Sequence, residues 1–188
     1  MTKRIVITGG PGTGKTVLVR ELEKRGYACF HEIIREMTEA AKQEEDPEKH
    51  LVNPLAFVRD PLAFNRRILQ GRIDQFRDAG NFQAPFVFYD RGIPDVLAYM
   101  DYFKQEYDGE FFGPCQRFRY DRVILLPPWK EIYTRDDERL ESFEQACEIH
   151  ECLERTYQTC GYEVHTLDFG TVETRIGSLL NKLSEVHE

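Results

Sequence analysis

Apolar and polar positions along this chain alternate between two periods. Short apolar runs at residues 4–8, 27–31, 85–89, 122–126 and 162–167 predict strands. The third, Pro85-Phe86-Val87-Phe88-Tyr89, is almost wholly apolar, as a strand buried on both faces should be. Between the strands, apolar residues recur every three or four positions and predict helices. Residues 17–25 carry Val17, Leu18 and Leu22, residues 32–43 carry Ile33, Ile34, Met37, Ala40 and Ala41, and residues 172–183 carry Val172, Ile176, Leu179, Leu180 and Leu183. Two further helices are expected at 60–78 and 94–106. A long charged helical segment is expected at 134–160, with Leu140, Phe143, Cys147, His150, Leu153 and Tyr157 on one stripe.

The punctuation agrees with these periods. Asp60-Pro61 caps and opens a helix, Gly26 and Gly80 close two others, and the polar run 44–50 interrupts the chain. Strands alternating with helices imply a parallel sheet covered on both faces. No repeat, low-complexity tract or linker divides residues 1–188, so a single α/β domain is expected.

The first strand runs into Gly9-Gly10-Pro11-Gly12-Thr13-Gly14-Lys15-Thr16, which fits G-x-x-x-x-G-K-[ST] at every fixed position. Strand, glycine-rich turn and helix are the context in which that pattern has a mechanism. Glycines let successive N–H groups turn inward into a cup for phosphate oxygens, and the helix starting at Val17 adds its positive dipole end. Lys15 would reach the terminal phosphates and the Thr16 hydroxyl would ligate Mg²⁺. A nucleoside triphosphate is the expected ligand.

A second metal-side acid belongs at the C-terminal end of a neighbouring strand. The strand at 122–126 ends in Pro127, whereas the one at 85–89 ends in Asp90, so Asp90 is expected to serve the metal. Arg91 follows it where motor-type ATPases carry a glutamate, there is no Asn-Lys-x-Asp to read guanine, and Lys15 replaces the last glycine of a dinucleotide fingerprint. Glu32, at the end of the second strand, reads from the residues alone as a helix-end acid favoured by the dipole. Arg35 lies one turn further on.

Composition adds limits. Apolar residues make up 41% and charged residues 31%, with a net charge of −8, which disfavours general affinity for nucleic acid or anionic membrane. No apolar run approaches a membrane span, and five cysteines without a C-x-x-C pair read as free thiols, so a cytoplasmic protein is expected. Cys147 and His150 share an apolar helix face, and packing is expected of them. Phe57 and Phe64 are expected to pack as well.

Asp90-Arg91-Gly92 resembles the Asp/Glu-Arg-x element of small-molecule phosphate-loop kinases, the nucleoside and thymidylate kinases among them. Together with the phosphate loop, His31-Glu32-Ile33-Ile34-Arg35-Glu36, Pro127-Pro128-Trp129 and Asp137-Glu138-Arg139, it makes nearly the whole chain resemble one family. This is the AAA-type ATPase domain family of P-loop NTPases that includes the ribosylnicotinamide kinase domain of NadR proteins. The resemblance implies a three-layer sandwich whose five-stranded parallel sheet has the kinase-like order 2-3-1-4-5. It implies Glu32 as the base for the attacking hydroxyl, with Arg91 and Arg35 on the substrate side. It also implies a lid at about 129–145 whose Arg135 and Arg139 cover the triphosphate. The function it implies is ATP- and Mg²⁺-dependent phosphorylation of a small, nucleoside-like hydroxyl compound. The alternative is an ATP- or GTP-binding regulatory ATPase with no small-molecule acceptor.

Overall fold

The computed structural model of the chain describes residues 2–34, 60–133 and 141–184. Five parallel strands form one sheet: β1 (Lys3–Gly9), β2 (Ala28–Phe30), β3 (Phe86–Asp90), β4 (Arg122–Leu126) and β5 (Val164–Thr166), in the order β2-β3-β1-β4-β5. The expected order 2-3-1-4-5 is the observed one. The helices are α1 (Lys15–Lys24), α2 (Pro61–Asp78), α3 (Pro94–Tyr102), α4 (Gly109–Arg117), α5 (Phe143–Thr159) and α6 (Val172–Ser184).

The period of two in β1 explains the layers. Ile5 and Ile7 pack with Phe88 and Ile124 against α1 and α6, through Leu18, Leu22, Ile176 and Leu179. Val6 points the other way and packs with Val87, Tyr89 and Val123 against Ile68, Leu97, Phe111 and Tyr157 of α2 to α5. Both faces of the sheet are dry, which gives the three-layer sandwich.

The registers Ile7↔Asp90, Gly9↔Leu126 and Phe30↔Tyr89 bring the C-terminal ends of β1, β2, β3 and β4 to one edge. Everything that follows each strand therefore converges there, as ligand sites of open α/β sheets require.

Asp60 does cap α2, its side chain accepting from the Ala63 N–H at 2.9 Å. Three expectations shift. The helix expected over 94–106 ends at Tyr102, and a separate α4 follows, opened by Asp108 accepting from the Glu110 N–H at 2.8 Å. The described part of the segment expected at 134–160 becomes helical only at Phe143, because Ser142 and Gln145 form a reciprocal capping box. Its buried face is Ala146, Ile149, Leu153, Thr156 and Tyr157, which leaves Phe143, Cys147 and His150 only half-buried. A Cβ on Gly10 would lie 2.6 Å from the Ala146 carbonyl oxygen, so the helix backbone rests on the phosphate loop and Gly10 has no room for a side chain. Phe64 packs against the core as expected. Phe57 and most of the helix expected at 32–43 lie outside the described residues. No helix among the described residues is long and apolar enough to cross a membrane.

Candidate active site

The phosphate loop spans the turn from β1 to α1. Gly12 (φ 71°) and Gly14 (φ 83°) adopt the left-handed backbone that side chains disfavour, and a Cβ on Gly12 would lie 2.6 Å from the Tyr133 ring. Lys15 folds back over this turn. Its Nζ donates to Gly10 O at 2.7 Å and to Thr13 Oγ1 at 3.3 Å. Burial and the positive charge of Arg91 pull its pKa down to about 7, although Asp90, Glu32 and Asp95 work in the opposite direction. One helical position on, Thr16 Oγ1 donates to Asp90 Oδ2 at 3.3 Å. Val17, expected among the apolar helix positions, is instead exposed, and Val19 takes a place in the core.

Arg91 turns the chain directly after β3, with φ 76°. Such a conformation in a side-chain-bearing residue needs outside support. Its N–H donates to Ile7 O at 3.0 Å, and Nη1 donates to Gly9 O at 3.3 Å and pairs with Asp95 Oδ1 at 3.2 Å. Its Nε is ion-paired with Glu32 Oε2. Glu32 also accepts from Arg72 Nη2 at 3.1 Å, while Arg72 Nη1 donates to Gly92 O at 2.5 Å. The carboxylate of Glu32 is thus held between the guanidinium of Arg91, just after β3, and that of the buried Arg72 on α2.

Asp95 is the hub of this turn and is fully buried. Besides Arg91 it accepts from Thr8 Oγ1 at 2.7 Å, the Gly92 N–H at 2.9 Å and Tyr157 Oη at 2.5 Å. Burial alone would raise its pKa, but Arg72, Arg91 and the bonds from Tyr157 and Thr8 outweigh that and lower it. Sequence reasoning gave Arg72, Asp95 and Thr8 no role at the site and read Tyr157 only as a position on an apolar stripe.

The fold thus gathers Gly9 to Thr16, Glu32, Asp90 and Arg91 at one edge of the sheet. Arg35, Arg135 and Arg139 lie outside the described residues. Cys147 and His150 make no metal cluster, and no group of three or more His, Cys, Asp or Glu side chains suited to a metal occurs among the described residues. Two oxygens that could hold a magnesium ion, Thr16 Oγ1 and Asp90 Oδ2, already stand side by side. That suits a cation which keeps most of its ligands as water and phosphate.

A parallel sheet of order 2-3-1-4-5 with a phosphate loop after its central strand defines a P-loop protein of the kinase-like group. The chain belongs to the AAA domain family, whose model matches residues 4–175. No curated protein sequence matches it significantly. Among solved structures it is similar to deoxyadenosine kinase from M. mycoides, with products dCMP and a flexible dCDP bound, at 20% identity, 97% of this chain, 100% of that chain and TM-score 0.68. It is also similar to a NadR protein in complex with NR, at 23% identity and TM-score 0.67, over 98% of this chain but only 51% of the NadR chain. Thymidylate kinase from Candida albicans follows at 16% identity, 98% and 91% coverage and TM-score 0.66.

Proposed function

We propose that the chain is a phosphotransferase that moves the γ-phosphoryl group of a nucleoside triphosphate to the hydroxyl of a small, nucleoside-like compound. The observation that carries this reading is the Glu32–Arg91 pair. A carboxylate and a cation, paired with each other, stand at the same sheet edge as Asp90, where a hydrolase needs neither. The similar structures of deoxyadenosine kinase and of NadR with NR support a nucleoside-like acceptor.

The residues divide the work as phosphoryl transfer requires. Lys15 and the loop N–H groups bind and orient the terminal phosphates. Thr16 and Asp90 would hold Mg²⁺, which when bound neutralises charge on the β- and γ-phosphates. Arg91, whose Nη1 donates to Gly9 O at the start of the loop, would meet negative charge that builds up during transfer. Arg72 and Arg91 fix the orientation of Glu32. The acceptor oxygen attacks the γ-phosphorus, the bond to the bridging oxygen breaks, and the diphosphate leaves. The hydroxyl proton passes to a carboxylate oxygen of Glu32. Loss of this base lowers transfer by about 10²–10⁴.

The test is diphosphate formation from ATP or GTP with Mg²⁺, across a panel of nucleosides and other small hydroxyl compounds. Acceptor-dependent turnover that Glu32→Gln slows, with nucleotide affinity kept, supports the reading. Slow turnover indifferent to every acceptor overturns it and leaves a nucleotide-binding regulatory ATPase.

A further inference from the structure

Arg175 sits in the first turn of α6, on a helix that contributes nothing else to the phosphate loop, yet it is only 4% exposed. Its Nη1 donates to Thr13 O at 2.9 Å and would lie 3.1 Å from a Cβ on Gly14. Its Nε and Nη2 are buried with no hydrogen-bond partner among the described residues. A guanidinium that gives up its water for a single carbonyl is costly to keep there. Burial lowers its pKa accordingly. Core packing alone would be served better by a leucine or methionine at this position.

The bond it makes has a direct geometric consequence. All peptide units described are trans, and in a planar trans unit the carbonyl and the following N–H point in opposite directions. Gripping Thr13 O from the α6 side therefore aims the Gly14 N–H away from α6. Gly14 has φ 83° and no β-carbon to resist a flip of that peptide, so an outside anchor is needed to keep one orientation. The Gly10 carbonyl is anchored on the same principle from the other side, by Lys15 Nζ and by Thr13 Oγ1 at 3.0 Å.

We infer that Arg175 is a positioning residue for the nucleotide site: from the C-terminal helix it locks the Thr13–Gly14 peptide with its N–H available to phosphate. Its uncompensated charge close behind the loop makes a bound polyphosphate the natural counter-charge. This rests on nucleotide binding at the phosphate loop, which the proposed function also assumes.

The experiment measures ADP and AMP binding by calorimetry with the full chain, as wild type, Arg175→Met, Arg175→Lys and Arg175→Gln, at a temperature where each is folded by circular dichroism. Arg175→Met should bind ADP about 10- to 100-fold more weakly, the usual worth of a hydrogen bond from a charged group. AMP, with no second phosphate to place in the cup, should lose less. Arg175→Lys and Arg175→Gln each keep a donor and should recover part of the loss. A residue that only supports the fold would lower the melting temperature and leave ADP affinity unchanged. Wild-type ADP affinity in Arg175→Met overturns the inference while leaving the proposed function intact. If Arg175→Met does not fold, wild-type affinity in both the lysine and glutamine variants overturns it just as well, because glutamine lacks the charge and the reach of the guanidinium and can restore the Thr13 O bond only in part. Absence of ADP binding to wild type takes down both readings.

Discussion

Replacing Lys15 by arginine and following nucleotide binding across pH isolates a single proton. In the free chain, burial and the neighbouring Arg91 bring the Lys15 pKa from 10.5 to about 7. At pH 8 about nine-tenths of the side chains are then neutral, and at pH 6 about one-tenth are. A polyphosphate against Nζ favours the charged form and pulls the pKa back up. Binding must therefore take up about 0.9 proton at pH 8, about 0.5 at pH 7 and about 0.1 at pH 6 from this residue. Affinity falls in step, by about tenfold per pH unit above 7, or about 1.4 kcal/mol. Calorimetry of Mg-ADP binding in buffers of different ionisation enthalpy reads the uptake directly. Lys15→Arg keeps the charge but does not titrate, so its uptake gives the contribution of every other group. Equal uptake by the two proteins at pH 8 would refute the reasoning.

The same shift bears on folding with the opposite sign. A lysine whose folded pKa lies below its unfolded one binds fewer protons in the native state. The cost of charging it is complete below about 7 and gone above 10.5, so the unliganded chain gains stability from this group as pH rises across that window. Wild type should lose nucleotide and gain resistance to urea over one and the same pH range, and Lys15→Arg should do neither.

Asp95→Asn should cost about 3–5 kcal/mol in urea unfolding, since it removes charge from a buried pair and leaves Arg91 under-compensated. Because the folded Asp95 pKa is lowered, its stabilisation is full above the unfolded carboxyl value and is lost as pH falls through the folded one. Asp95→Asn should therefore flatten the acid limb of the stability curve. Asp90→Asn and Thr16→Ala should both weaken Mg-nucleotide binding, and excess Mg²⁺ should restore part of it only in Asp90→Asn, which keeps an oxygen next to the Thr16 hydroxyl. Glu32→Gln should unfold at lower urea than wild type as well as transfer more slowly, because two guanidinium groups lose their shared carboxylate.

How far the sequence could be read depends on whether the information was local. The phosphate loop, the strand ends at Asp90 and Glu32, and the cap at Asp60-Pro61 each depend on a few neighbouring residues. Strand order came from the resemblance to phosphate-loop kinases, because alternating strand and helix alone leaves several parallel orders open. Helix α4 was not legible: Gly109, Gly113 and Pro114 are poor helix formers, and tertiary packing of Phe111 and Cys115 overrides them. The face of α5 was misplaced because an apolar count favours Phe143 and Cys147, whereas the buried stripe runs through Ala146, Ile149 and the polar Thr156. Arg72 and Arg175 were missed because charged residues on helices are usually solvated. A signal did exist for both. Arg72 falls in the apolar ladder of Ile68, Leu69 and Ile73, and Arg175 lies one turn before Leu179 and next to Ile176. An arginine on the core stripe of a helix has to find an acceptor inside.

These buried charges also explain why a chain of net charge −8 can be built to hold a polyanion. Around the loop stand Glu32, Asp90 and Asp95 against Arg72, Arg91 and Arg175, three carboxylates to three guanidinium groups. With Lys15 neutral this cluster balances and adds no net attraction for phosphate. With Lys15 protonated it carries one positive charge in excess. The loop N–H dipoles and the N-terminus of α1 add to that single charge, and a cation brought by the nucleotide would add more at Thr16 and Asp90. The site therefore favours a ligand that supplies phosphate, metal and proton together. A bare anion brings only the first of these, so Mg-nucleotide should bind in preference to free nucleotide, and more strongly so above pH 7.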